Sequence, residues 1–311
     1  MKELRYTLEP YKGMKTRFRC PNCNKNNVFT KYIDLHTNEH LNDAVGCCNR
    51  LIKCGYHYKP KQYFQDNNIS FKTSTGNNRI NQFKPVPKTK TNFIDAELMQ
   101  KSKVSKSQNN FVEFLSNIWN DETAQELVEK YNIGTSKFWN GATVFWQVDN
   151  NSRIRSGKIM LYNSINGKRI KEPYNYINWV HKALRLEPFN LEQCYFGEHL
   201  LKEDTSKPVA IVESEKTAIL SSVFLPEFIW LACGSVNNLN EAKTRCLKGR
   251  NVVLFPDLNC FDLWNNQIQT LTKLATFRIS TLLKDNATDE EIEQGLDLAD
   301  YLINIKRSLE I

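Results

Sequence analysis

Two acidic residues sit directly behind short apolar runs. Val209–Val212 is followed by Glu213, and Val252–Phe255, after Pro256, by Asp257. If the runs are parallel strands, both acids lie at carboxyl ends, where open α/β sheets place their ligands. Adjacent strands are about 5 Å apart, so the two carboxylates could share one divalent cation if their strands are neighbours. Carboxylate oxygens suit Mg²⁺ or Mn²⁺, and such ions commonly act together with substrate phosphates. A second metal-binding pattern lies near the N-terminus. Cys20 and Cys23 form a C-x-x-C knuckle, 24 residues separate them from Cys48, and five more separate Cys48 from Cys54. Two pairs of thiolates match tetrahedral Zn²⁺, and Cys20, Cys23, Cys48 and Cys54 are the expected ligands. Cys47 competes with Cys48, and His57 competes for the fourth position. Cys48 is preferred because Gly46-Cys47 belongs to the approaching strand and Cys48-Asn49 begins the second turn.

The elements that must position these groups follow from pattern. Runs at 209–212, 228–232 and 252–255, rich in Val, Ile and Phe and spaced by helix-like segments, read as parallel strands in βαβ units. A flavodoxin-like sheet with solvated acids at its rim fits the same pattern. Around the cysteines, Val28–Leu35 and the region of Val45 fit a small antiparallel hairpin too small to fold well without metal. Lys and Arg residues there alternate with Phe18, Phe29, Tyr32, Tyr56, Tyr58, Tyr63 and Phe64, a mixture that suits single-stranded nucleic acid. Residues 65–110, rich in Asn, Ser, Thr and Lys, read as a flexible basic linker with a short helix at Ile94–Lys101. Phe111, Phe114, Leu115 and Ile118 share one helical face, Asp121 is the expected cap of a second helix, and Gly134 its stop. Three strands joined by polar turns are expected between Ala142 and Lys171. Leu263–Phe277 reads as an amphipathic helix and Phe277–Ser280 as a fourth strand. Thr288 and Glu291 have capping-box spacing.

The chain has 311 residues, enough for two or three compact units, with 17 Phe, 12 Tyr and 6 Trp to build cores. No run approaches the roughly 18–20 apolar residues of a membrane span, and the first residues lack a signal-peptide stretch, so a cytoplasmic protein is expected. Nine cysteines in such a chain point to metal or buried thiols rather than disulfides. Residues 1–110 carry 20 Lys/Arg against 8 Asp/Glu, whereas residues 111–311 carry 22 against 26. A basic front and an acidic, metal-binding back suit a protein that processes a polyanion.

The stretch VESEKTA, then CGS, then LFPDLN, resembles the TOPRIM domain shared by DnaG-type primases, topoisomerases and some nucleases. The resemblance implies that Glu213 and Asp257 hold catalytic Mg²⁺ and that Gly234-Ser235 forms the turn after the middle strand. The chain departs from the pattern at Asn259, where the family has a second Asp, and at Ser214, where it has Gly. Asp262 is a substitute for the second Asp. The helical pair, the small sheet with its G-K element and CYFGEHLL (Cys194–Leu201) are similar to the remainder of a DnaG-type primase core, of the phage and mobile-element kind. By that resemblance Arg153, Arg155, Lys158, Lys168 and Arg169 face template or nucleotide, and Lys216 neutralises a phosphate or covers a helix end. The family also carries a late Asp in its metal cluster, for which Asp297-Leu-Ala-Asp300 is the candidate; solvated helix acids are the alternative.

The expected fold is α/β and multidomain. A zinc ribbon (1–64) and the linker (65–110) precede a small mixed α+β basic subdomain (111–206) and a Rossmann-like parallel TOPRIM sheet flanked by helices (207–311). The expected activity is synthesis of short RNA primers on single-stranded DNA from ribonucleoside triphosphates, with structural Zn²⁺, catalytic Mg²⁺ or Mn²⁺, and a replicative helicase as partner. A nucleic-acid-binding accessory protein with a decayed site, and a TOPRIM nuclease, are the alternatives.

Overall fold

The computed structural model describes residues 5–50, 53–67, 90–103 and 108–309. The chain divides into two compact units, Met1–Lys84 and Pro85–Ile311. Much of the expected linker lies outside the described residues.

The first unit is an antiparallel sheet in the order β1-β2-β3-β4, with β1 Tyr6–Leu8, β2 Phe29–Asp34, β3 Gly46–Cys48 and β4 His57–Tyr58, followed by helix α1, Pro60–Asp66. Its buried centre is small: Cys20, Phe29 and Cys48, with Phe18, Val28 and Tyr56 against them. Several of the aromatic residues expected to meet nucleic acid are therefore spent on the core. So little buried apolar area is marginal for a unit of this size.

The second unit begins before the expected boundary. Ile94 bridges to Ile154, and helix α2, Ala96–Lys103, buries Met99 in the same cluster. This part of the expected linker is thus packed structure, because Ile94 and Met99 supply apolar area that solvated tether would leave in water. Helices α3, Asn110–Ile118, and α4, Asp121–Lys130, follow. The cap of α4 is Asn120, whose side chain accepts the Thr123 N–H at 2.7 Å, not Asp121. The helix ends at Lys130, and Asn132 takes the left-handed turn (φ 52°) that Gly134 was expected to supply. Gly134 lies instead in strand β5, Ile133–Ser136, where a Cβ would run into Ser102 and come within 2.7 Å of Trp146 Nε1.

Strand β5 joins β6 (Ala142–Val148), β7 (Ile154–Met160) and β8 (Ile177–Trp179) in one antiparallel sheet. Every residue of β6 is buried. Ala142, Val144, Trp146 and Val148 enter one core, while Phe145 enters another on the opposite face. Period-two alternation here separates two cores rather than core from solvent. A one-turn helix, α5 (Val180–Ala183), follows β8.

The last part is a parallel sheet in the order β10-β9-β11-β12. It comprises β9 Val209–Val212, β10 Ile229–Ala232, β11 Asn251–Leu254 and β12 Thr276–Ile279. Around it lie α6 Glu215–Phe224, α7 Glu241–Thr244, α8 Phe261–Ile268, α9 Leu282–Asn286, α10 Asp289–Gln294 and α11 Leu298–Leu309. Strands β9 and β10 are buried throughout, as expected of a sheet covered on both faces. Thr288 and Glu291 form the capping box of α10. The mixed α/β architecture with an N-terminal ribbon is the one expected. No described helix is long and apolar enough to cross a membrane.

Candidate functional site

In the first unit two backbone turns carry the thiols. The Asn24 N–H donates to the Cys20 carbonyl at 3.0 Å, closing the first turn, and the Cys54 N–H donates to the Arg50 carbonyl at 2.8 Å, closing the second. Cys48 ends β3, in register with Phe29. Cys20 Sγ and Cys54 Sγ lie 3.7 Å apart, and Cys23 Sγ and Cys48 Sγ 4.0 Å. All four sulfurs are within 4.8 Å of one another. Zn–S bonds of about 2.3 Å in a tetrahedron require sulfurs about 3.8 Å apart, so the four thiols fit Zn²⁺. The Tyr56 backbone N–H and the Asn22 side chain hold the Cys54 thiol down to about 6. A bond from the Lys25 backbone likewise lowers Cys23. Both favour thiolate. Cys47 is buried outside this group, its neighbour in the strand having the opposite side-chain direction. His57 is engaged elsewhere, with Nε2 2.9 Å from Tyr32 Oη.

In the second unit β9 and β11 are hydrogen-bonded neighbours, Ile211 opposite Leu254. Their extensions carry Glu213 and Asp257, so the condition for a shared cation is met by topology. Gly234 follows β10 with φ 80°, and its N–H donates to the Glu213 carbonyl at 2.8 Å. Burial raises the Glu213 carboxyl against the pull of Lys158, and Glu215 and Asp297 raise it further. Burial also lifts Asp257 well above the carboxylate range, with Asp297, Glu213 and Asp300 adding to the rise. Neither carboxylate has a hydrogen-bond or ion-pair partner among the described residues. These two acids, at the ends of neighbouring strands and without donors among the described residues, are the ones that could hold a hard divalent cation.

The other expected site residues are placed differently. Asn259 is exposed in the left-handed region (φ 73°), and its amide donates to the Ile292 carbonyl at 2.9 Å. Asp262 is exposed in the first turn of α8. Four of the six expected nucleotide-binding cations are ion-paired. Arg153 and Arg155 both hold the buried Asp149, Arg155 at 2.6 Å. Lys158 is buried on Glu215, and Lys216 pairs with Asp300 at 3.1 Å. Arg169 and the exposed Lys168 have no ion pair among the described residues, and Arg169 Nε is buried without a hydrogen-bond partner.

Three participants were not singled out from sequence. Glu215 is the anchor of Lys158, and its E-x-E spacing from Glu213 was a visible signal. Thr217 donates to Asp297 Oδ2 at 2.7 Å. Asp149 organises two arginines from a turn that local pattern marks only as polar. Asp297 and Asp300, for which solvated helix acids were an alternative, are half-buried and bonded across to α6.

Two family models match this chain: a zinc beta-ribbon finger over residues 4–69 and a domain of unknown function (DUF6371) over residues 109–258. Among solved structures, the E. coli primase catalytic core is similar at 12% identity, covering 67% of this chain and 81% of that chain with a TM-score of 0.41. The primase fragment of the bacteriophage T7 primase-helicase protein is similar at 13% identity, covering 90% and 98% with a TM-score of 0.35. A DnaG primase catalytic domain bound to ssDNA is similar at 11% identity, covering 67% and 79% with a TM-score of 0.40. No curated protein matches the sequence.

Proposed function

We propose that this protein is a primase-like nucleotidyltransferase that extends ribonucleotides on a single-stranded DNA template. The observation that carries the proposal is the pair Glu213 and Asp257, donor-free carboxylates at the ends of adjacent parallel strands. The four-thiol zinc site in a basic N-terminal unit supports a nucleic-acid partner. The VESEKTA, CGS and LFPD motifs support the TOPRIM reading of residues 207–311.

In this reading Glu213 and Asp257 hold a divalent cation. When bound, that ion lowers the pKa of an attacking 3′-hydroxyl and neutralises charge on departing pyrophosphate. Gly234 fixes the Glu213 backbone from the neighbouring strand. Arg169 and Lys168 orient a nucleotide phosphate, because of the six expected cations they are the two with no ion pair among the described residues. Cys20, Cys23, Cys48 and Cys54 hold Zn²⁺, and the surrounding cations follow the phosphate backbone of the template.

The test is primer synthesis from ribonucleoside triphosphates on single-stranded DNA with Mg²⁺ or Mn²⁺. Wild type is expected to form di- and oligonucleotides, and Glu213→Gln or Asp257→Asn to lose at least about 100-fold in rate. Template cleavage without synthesis would favour a nuclease using the same acids. Template binding with neither activity would leave an accessory role.

A further inference from the structure

Asp257 lies in the field of Asp297, Glu213 and Asp300, but the oxygens of these four acids are not equivalent. Asp297 Oδ1 accepts the Asp300 N–H at 3.0 Å, and Asp297 Oδ2 accepts the Thr217 hydroxyl at 2.7 Å. Asp300 Oδ1 accepts from Lys216 Nζ at 3.1 Å, and Asp300 Oδ2 accepts the Asp297 N–H at 3.5 Å. All four oxygens of this pair therefore have protein donors. Asp297 immediately precedes α11 and Asp300 is its third residue, so the two cap that helix reciprocally. Glu213 and Asp257 have no such donors among the described residues. Lys216 is itself 9% exposed. It is held in the field of Asp297, Asp300 and Asp257, which keeps its ammonium charged in spite of burial.

We infer that this cluster takes one divalent cation, between Glu213 and Asp257, and that Lys216 serves as a built-in second cation neutralising Asp297 and Asp300. The inference rests on the metal-site reading above and adds the number of ions and the role of Lys216. A second divalent ion on Asp297 or Asp300 would have to lie beside the Lys216 ammonium and compete for carboxylate oxygens that already accept from Thr217 and two backbone N–H groups. Like charges at hydrogen-bond range in a half-buried site repel strongly. Asn259, its amide turned to Ile292, supplies no further anionic ligand. Lys216 is a positioning residue in this scheme, since it acts through Asp300.

The experiment is a Mn²⁺ titration of the full chain with its thiol site preloaded with Zn²⁺, read by electron paramagnetic resonance. One Mn²⁺ per chain, with no spin coupling between ions, is the expected result for wild type. Two coupled ions in wild type would overturn the inference while leaving the metal site standing. No bound Mn²⁺ would remove the site and the inference together. Lys216→Met, which removes the charge and keeps the length, is expected to bind two ions; one ion in a folded Lys216→Met protein would overturn the role of Lys216. Asp257→Asn is expected to bind no ion in this cluster, and retention of one there would show that Asp297 and Asp300 are the ligands instead. The wild-type count decides the number of ions even if Lys216→Met does not fold.

Discussion

Lys158 Nζ lies 3.0 Å from each carboxylate oxygen of Glu215, joining strand β7 to the first residue of α6. Both groups are buried, and Lys158 Nζ also reaches the Gly234 carbonyl at 3.5 Å. The pair ties the antiparallel sheet to the α6 start and the turn after β10, the two segments that hold Glu213 in place. A residue expected to meet template is thereby a fastener between the two sheets of one unit.

Replacing Lys158 by Met leaves the Glu215 carboxylate buried without its ammonium. The expected loss is about 3–5 kcal/mol in stability, measured by denaturant unfolding. The double replacement Lys158→Met with Glu215→Leu should recover much of that loss, since two apolar groups leave no charge stranded. Equal losses in the single and double variants would mean that packing, not charge, holds the contact.

Zinc should co-purify at about one ion per chain with thiolate ligands. Cys48→Ser and Cys54→Ser should abolish binding, whereas Cys47→Ser should retain it, because Cys47 faces away from the other sulfurs. Elemental analysis of the three variants, purified without chelator, checks the assignment.

The Asp149 carboxyl is held below its ordinary range. Burial alone would raise it, but bonds from the Arg153 backbone N–H, the Arg155 guanidinium and the Asn151 N–H outweigh that effect. A carboxyl depressed in the folded state stabilises above its unfolded pKa of about 3.9, and the stabilisation is lost as pH falls through the folded value. Wild type should therefore exceed Asp149→Asn in stability at pH 7, with the difference shrinking below about pH 4. Thermal melts of both proteins across that range provide the check.

Asn259→Asp should not improve metal binding. Its side chain donates to a carbonyl, which a carboxylate cannot do, and its positive φ suits Asn. The substitution should lower stability by about 1 kcal/mol, the net worth of one hydrogen bond. Calorimetric Mn²⁺ affinity at least tenfold tighter in the variant would show that residue 259 reaches the ion.

Several features were legible because they are local. The C-x-x-C knuckle, the three Val- and Ile-rich runs, the acids directly behind two of them and the Thr288–Glu291 cap each need only a few consecutive residues to be recognised. What the chain could not disclose alone was pairing at long range. Order β10-β9-β11 decided that Glu213 and Asp257 are neighbours, since sequence places them 44 positions apart without stating which strands hydrogen-bond. The same holds for the basic residues of the small sheet. A lysine on a strand looks identical in sequence whether it faces solvent or a buried acid. Only packing of β7 against the α6 start converted Lys158 from a template contact into a buried pair with Glu215. Residue type and spacing determined the available chemistry; burial and register determined which side chains remain unpaired to perform it, because desolvation forces every other buried charge to find a partner.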